Sequence, residues 1–227
     1  DYASIGSIVT AAKDADIPMF AMDSGTEPSD AFVYNVTTDQ NVIVEQTLGA
    51  IKEAVGGSLE GKTIMVVGHD PHPGIRLRAE LTKEALEKAG AIVAGGDVQK
   101  VTSPATGRTE TLQFVADFLA ANPGGLDAVW TGWDDSALGA VKAIEEAGSD
   151  AVVTGVDAVS EGVAAIQAGG PMLATVDQQW PAVLDMVIAA MVEYQNSGNL
   201  PANNFEAIKT VLVTKENAAS ITPSDKL

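Results

Sequence analysis

Residues 61–90 read GKTIMVVGHDPHPGIRLRAELTKEALEKAG, and their order is that of one strand, one loop and one helix. The run 63–67, TIMVV, is apolar without interruption, so it predicts a strand buried on both faces rather than one wetted on alternate residues. The loop HDPHPG follows, and 76–89 carries apolar residues at helical spacing up to Gly90, a residue suited to a left-handed helix stop. A buried strand that leads directly into a helix is the unit from which parallel sheets are built.

Working outward, the same unit recurs. Strands are predicted at 128–131 (AVWT), 151–156 (AVVTGV) and 172–176 (MLATV), with helices at 109–121, 136–147 and 160–168, the last two closed by Gly148 and Gly169. Together they predict a complete parallel layer from 61 to 176. The first sixty residues differ, with a helix at 5–15 and strands near 18–22 and 32–36. Two strands and one helix cannot cover both faces of a sheet, so further elements are expected in front of Asp1. After the layer come an apolar helix at 181–194, a loop at 196–204 and a last strand near 208–214. If that helix packs on the early strands, the chain crosses between two lobes more than once.

Composition removes several function classes. The chain has 227 residues, 46% of them hydrophobic, enough for one large core or two modest lobes. Lys and Arg total 13 against 31 Asp and Glu, a net charge of -18, which disfavours binding to phosphate backbones or anionic lipid. With no cysteine, disulfides, zinc-thiolate sites, iron-sulfur clusters and thiol catalysis are excluded. No apolar run reaches the roughly 20 residues of a membrane span, and no leader pattern opens the chain, which reads as soluble and mature or trimmed. G-x-S-x-G, a P-loop, H-E-x-x-H and G-x-G-x-x-G are absent, so no catalytic residues and no cofactor are assigned.

The segments AAKDADIPMFAMDSG (11–25), TTDQNVIVEQTLGAIKEAVGG (37–57), residues 61–90, LDAVWTGWDDSALGAVKAIEEAG (126–148), VVTGVDAVSEGVAAIQAGG (152–170) and LATVDQQWP (173–181) follow one another in a telling order. In that order and spacing the chain resembles the type I periplasmic sugar-binding proteins, in their ribose-binding branch. The resemblance implies an α/β fold of the two-lobe Venus-flytrap type, with parallel αβα lobes, the first incomplete in this chain. It divides the sequence into a partial N-terminal lobe (1–38), a C-terminal lobe (39–180), a return to the first lobe (181–206), and a hinge strand with C-terminal tail (207–227). It implies an exported solute-binding protein, periplasmic or membrane-anchored outside the cell. Such a protein is a monomer that captures a sugar or polyol and delivers it to the permease subunits of an ABC importer.

A sugar offers a rim of hydroxyls and two weakly apolar faces, so its site needs planar polar groups at the edge and aromatic rings above or below. The resemblance places Asp23 as a carboxylate that accepts sugar hydroxyls, with Ser24 beside it where ribose binders carry Arg. Arg78 is the expected guanidinium, preferred over Arg76, and Asp157 is the expected acceptor from the second lobe. Gln178 reaches the ligand at the hinge, with Gln179 the rival by one residue and Asp177 beside them. Trp133 stands where many relatives have Asn; it reads either as a stacking platform for a polyol or modified sugar, or as a tryptophan packed in the wall. Asp134 is an expected N-cap of the 136–147 helix and a candidate ligand contact. His69, Asp70 and His72 lack the spacing that would aim them at one ion, and no metal site is assigned. The rival functions are the effector domain of a lac-repressor-like regulator and a sugar or autoinducer sensor module.

Overall fold

The computed structural model describes residues 5–226, so the first four residues of the 1–38 segment, and Leu227, lie outside the described residues. In chain order the elements are α1 (Gly6–Asp14), β1 (Phe20–Met22), β2 (Tyr34–Thr38), α2 (Gln40–Ala54), β3 (Thr63–Gly68), α3 (Pro73–Lys88), β4 (Ile92–Val93), β5 (Gln99–Lys100), α4 (Gly107–Ala121), β6 (Ala128–Thr131), α5 (Asp134–Ala147), β7 (Val152–Thr154), α6 (Ser160–Ala168), β8 (Met172–Asp177), α7 (Trp180–Ser197), β9 (Phe205–Ile208) and β10 (Val211–Val213).

The strands form two sheets. The larger runs β10-β8-β7-β6-β3-β4, with β5 also beside β3. Only β10 is antiparallel in it. Side chains alternate across the sheet, and both faces are dry. Ile64 and Val66 of β3 meet Val44, Leu48 and Ile51 of α2 and Ala79 and Leu86 of α3. Met65 and Val67 meet Val115 and Leu119 of α4 and Ile144 of α5 on the opposite face. This double burial is why TIMVV shows no polar alternation. Trp130 of β6 is fully buried, and its indole Nε1 donates to Thr47 Oγ1 of α2 at 2.8 Å, so the polar edge of a large core residue is satisfied.

The smaller sheet, β1-β2-β9, is parallel throughout. One face is covered by α7, whose Val183, Val187 and Ala190 pack on Tyr34 and Val36. The late apolar helix therefore does return to the early strands, and the chain passes between the sheets three times: after Thr38, after Asp177, and between Ile208 and Val211.

Three expectations change. The strand at 208–214 is two strands, one in each sheet, because Lys209 and Thr210 step across between them. Thr210 is held there by Gln46, whose Oε1 accepts from Thr210 Oγ1 at 2.8 Å and whose Nε2 donates to Thr210 O at 3.0 Å. The strand at 151–156 shortens to β7, whose register against β8 shifts between Val153 and Thr154, and the chain then turns at Asp157 and Ala158 with φ of 117° and 53°. Helix α3 starts at Pro73, earlier than expected, because the His72 ring caps it by accepting from Ile75 N at 3.2 Å and proline suits the first turn.

Close approach of α4 and α5 depends on Gly139, where an added Cβ would sit 2.1 Å from Arg108 O. Gly139→Ala is expected to lower the unfolding free energy by about 1–3 kcal/mol through overpacking. Urea denaturation checks this; an unchanged midpoint would show that the helices have room to part.

Candidate functional site

The carboxyl ends of β1, β2, β3, β6, β7 and β8 face one another where the two sheets meet, and the polar residues there form a connected set. In parallel sheets this end is where loops, rather than strand interiors, can present polar groups.

From the smaller sheet comes Asp23. It follows β1 with φ of 49°, while its N–H still bonds Val36 O at 2.9 Å, and its Oδ1 accepts from Thr37 Oγ1 at 3.1 Å. From the larger sheet comes His72. Its Nδ1 accepts the Ile75 N–H as the helix cap, and its Nε2 stands 3.4 Å from Asp23 Oδ2. This pair links residues from the two sheets directly.

Arg78, one turn into α3, is 3% exposed. Its Nε and Nη2 donate to Gly132 O at 3.0 and 2.7 Å, and its Nη1 donates to Gln40 Oε1 at 3.1 Å. Burial pulls the guanidinium pKa down, while the nearby charges of Asp157 and Asp23 hold it up. Gln40, at the start of α2, passes the network on: its Nε2 donates to Thr38 O at 2.9 Å and to Thr38 Oγ1 at 3.1 Å. Thr38 Oγ1 donates to Gln178 Oε1 at 2.9 Å, and Gln178 Nε2 donates to Asp157 Oδ1 at 2.6 Å. Burial pushes Asp157 up to about 6, against the pull of Arg78, Gln178 and His72; the charge of Asp23 adds to the rise.

Asp23, Arg78, Asp157 and Gln178 thus converge on one place, and the other four expected residues do not. Ser24 turns its hydroxyl back onto Met22 O at 3.2 Å and exchanges backbone bonds with the buried Asn35. Gln179 adopts φ of 59° and bonds Asp177 through its N and Nε2 at 2.8 and 2.6 Å, apart from the network. Trp133 is 7% exposed and belongs to the core between the larger sheet and α4 and α5. Its ring abuts Gly107, where a Cβ would come within 2.5 Å, and meets the edge of His69 with centroids 6.4 Å apart. Asp134 is the first residue of α5, not its cap, and its carboxylate is buried beneath the 156–159 turn. Nor does Asp157 cap α6, which starts from Val159 without a side-chain cap.

The histidine loop also divides. His69 Nδ1 faces Val101 O at 2.9 Å, Asp70 pairs with Lys100 at 2.6 Å, and His72 turns to Asp23. Arg76, the rival to Arg78, bonds Asp70 O. Thr38 and Gln40 were missed by sequence reasoning. Their only signal is that TTDQ sits where β2 hands over to α2.

A family model described as a periplasmic binding protein domain matches residues 1–199. The ribose import binding protein RbsB of Haemophilus influenzae is 27% identical over 177 residues, 78% of this chain and 57% of that protein. The xylitol-binding protein of Mycolicibacterium smegmatis is 26% identical over 170 residues, 73% of this chain and 46% of that protein. The chain therefore spans about half the length of these curated relatives. An ABC transporter solute-binding protein from Agrobacterium vitis, solved with bound allitol, superposes with a TM-score of 0.80 at 23% identity. That match covers 95% of this chain and 73% of the other, and it establishes the shared fold.

Since Asp157 is raised from the roughly 3.9 of a free aspartate to about 6, the native state binds more protons than the unfolded state between those values. Stability should therefore fall as pH rises from about 4 to about 6, and stay reduced above. Asp157→Asn should remove this part of the slope. Comparing thermal melts of variant and wild type across that window tests it, and parallel curves would refute it.

Proposed function

Because the chain belongs to the periplasmic binding protein domain family, we propose that it is part of an exported solute-binding protein that closes over a sugar or polyol. The observation that carries this reading is the convergence of Asp23 from one sheet with Arg78 and Asp157 from the other, bridged at 3.4 Å by His72 and Asp23. Carboxylates accept hydroxyl protons, and a guanidinium donates to ring and hydroxyl oxygens. Of the five N–H donors of Arg78, three are engaged by Gly132 and Gln40, which leaves two for a guest. One oxygen of Asp157 accepts from Gln178, and on this reading the other receives a hydroxyl.

On this reading the lobes are 1–38 with 181–206, and 39–180, with 207–227 as hinge strand and tail. A guest touching both lobes stabilises only the closed form, so binding and closure are one equilibrium. The closed protein, a monomer outside the cytoplasmic membrane, then meets the permease subunits of an ABC importer. It releases its guest chemically unchanged and needs no cofactor. The names of the relatives, an import protein and a xylitol-binding protein, favour transport over a regulator's effector domain.

The test is a thermal-shift screen of the full-length protein against pentoses, hexoses and linear polyols, with ribose, xylitol and allitol among them. A true guest at about a hundred times its Kd adds about 2.7 kcal/mol, which for this size raises Tm by about 5–10 °C. Asp157→Ala should lose that rise. Silence across the whole panel, or an equal rise in the variant, would overturn the proposal.

A further inference from the structure

Asp134 is a carboxylate that the ligand network does not use. It is 1% exposed, so no guest reaches it. Burial, with the charge of Asp157 nearby, pushes its pKa well above the usual carboxylate range. A residue this unfavourable to bury needs compensating bonds, and all of them lead to one place. Its Oδ2 accepts from Val159 N at 2.9 Å, and its Oδ1 accepts from Thr175 Oγ1 at 2.5 Å. The same Thr175 hydroxyl accepts from Ala158 N at 3.2 Å. The Asp134 backbone N–H donates to Val156 O at 2.8 Å.

Three of the four residues 156–159 are therefore tied to Asp134 directly or through Thr175, and the fourth is Asp157. That turn holds two consecutive non-glycine residues at positive φ, 117° at Asp157 and 53° at Ala158, a conformation that persists only when its surroundings impose it. The room for the carboxylate is kept by Gly155 and Gly162, where a Cβ would lie 2.2 Å from Oδ1 and 2.7 Å from Oδ2. Thus Gly155, just after β7, and residues of β8, α5 and α6 all contribute to one buried clasp.

We propose that Asp134 is a positioning residue: with Thr175 it holds the 156–159 turn in its strained form, so that the Asp157 carboxylate meets Gln178 where the two sheets come together. The ligand role of Asp157 in this statement rests on the function proposed above. A carboxylate that bonds Val159, two residues beyond the expected contact, sets affinity without touching the guest.

The experiment uses the full-length protein, Asp134→Asn, and Thr175→Val as a second variant that leaves the Asp134 carboxyl group in place. Carboxyl carbon NMR follows the titration of Asp157 among its charged and polar neighbours Arg78, Gln178, Asp23 and His72. Calorimetry at 15 °C, chosen to keep destabilised variants folded, measures xylitol and ribose. In both variants the Asp157 midpoint should move from about 6 toward the roughly 3.9 of a solvated aspartate, and affinity for whichever probe the wild type binds should fall at least about ten-fold. A lower Tm with the wild-type midpoint would reduce Asp134 to a fold-stabilising residue and overturn the proposal. Should the wild type bind neither probe while both variants still shift the midpoint, the clasp stands and the sugar reading loses support. If Asp134→Asn fails to fold, Thr175→Val alone decides.

Discussion

A guanidinium leaves water only when its donors find fixed acceptors and its charge finds opposite charge nearby. Arg78 meets both conditions, and the region where the two sheets face each other is organised around it. Its fork fastens the turn after β6 through Gly132 O and the first turn of α2 through Gln40. Gln40 fixes Thr38, Thr38 fixes Gln178, and Gln178 fixes Asp157. The polar residues at four strand ends are therefore joined in one hydrogen-bonded set. On the proposed function, such preorganisation would lower the conformational entropy lost on binding, which area alone does not.

Two different problems are solved beneath that unit. The larger sheet needs both faces dry, and it gets this from β3 and β6, whose successive side chains enter opposite cores. The site needs strand ends that turn sharply, and these are the places where backbone regularity fails: Asp23, Asp157, Ala158 and Gln179 all have positive φ. Regular, fully buried strands supply rigidity, and the irregular residues that follow them supply direction.

Much of this was legible in the sequence, for a physical reason. Fully buried parallel strands are short unbroken apolar runs, and the helices between them end at glycines such as Gly90 and Gly148, so 61–176 could be read almost directly. The edge pieces β4 and β5 could not, because two residues each leave no periodicity to detect. Asp23, Arg78, Asp157 and Gln178 were accessible through motif order. Gln178 and Gln179 were indistinguishable until backbone conformation separated them, since Gln179 is left-handed and bonds Asp177. Asp134 misled in the opposite way. An aspartate in front of a helix reads as its cap, but its partners, Val159 and Thr175, lie 25 and 41 residues away. Trp133 was equally open between ring platform and wall, and only its burial against Gly107 and His69 places it.

The three passages between the sheets lie side by side: Asp39 N–H bonds Ile208 O at 2.8 Å, Gln46 secures Thr210, and Val211 is paired with Asp177. Three short parallel straps cannot lengthen independently. Sliding or twisting one half against the other would stretch some and slacken others, whereas folding about the line through all three strains none. The covalent path thus favours one relative motion of the two sheets over the rest, and on the proposed function a guest held between them would act along that coordinate.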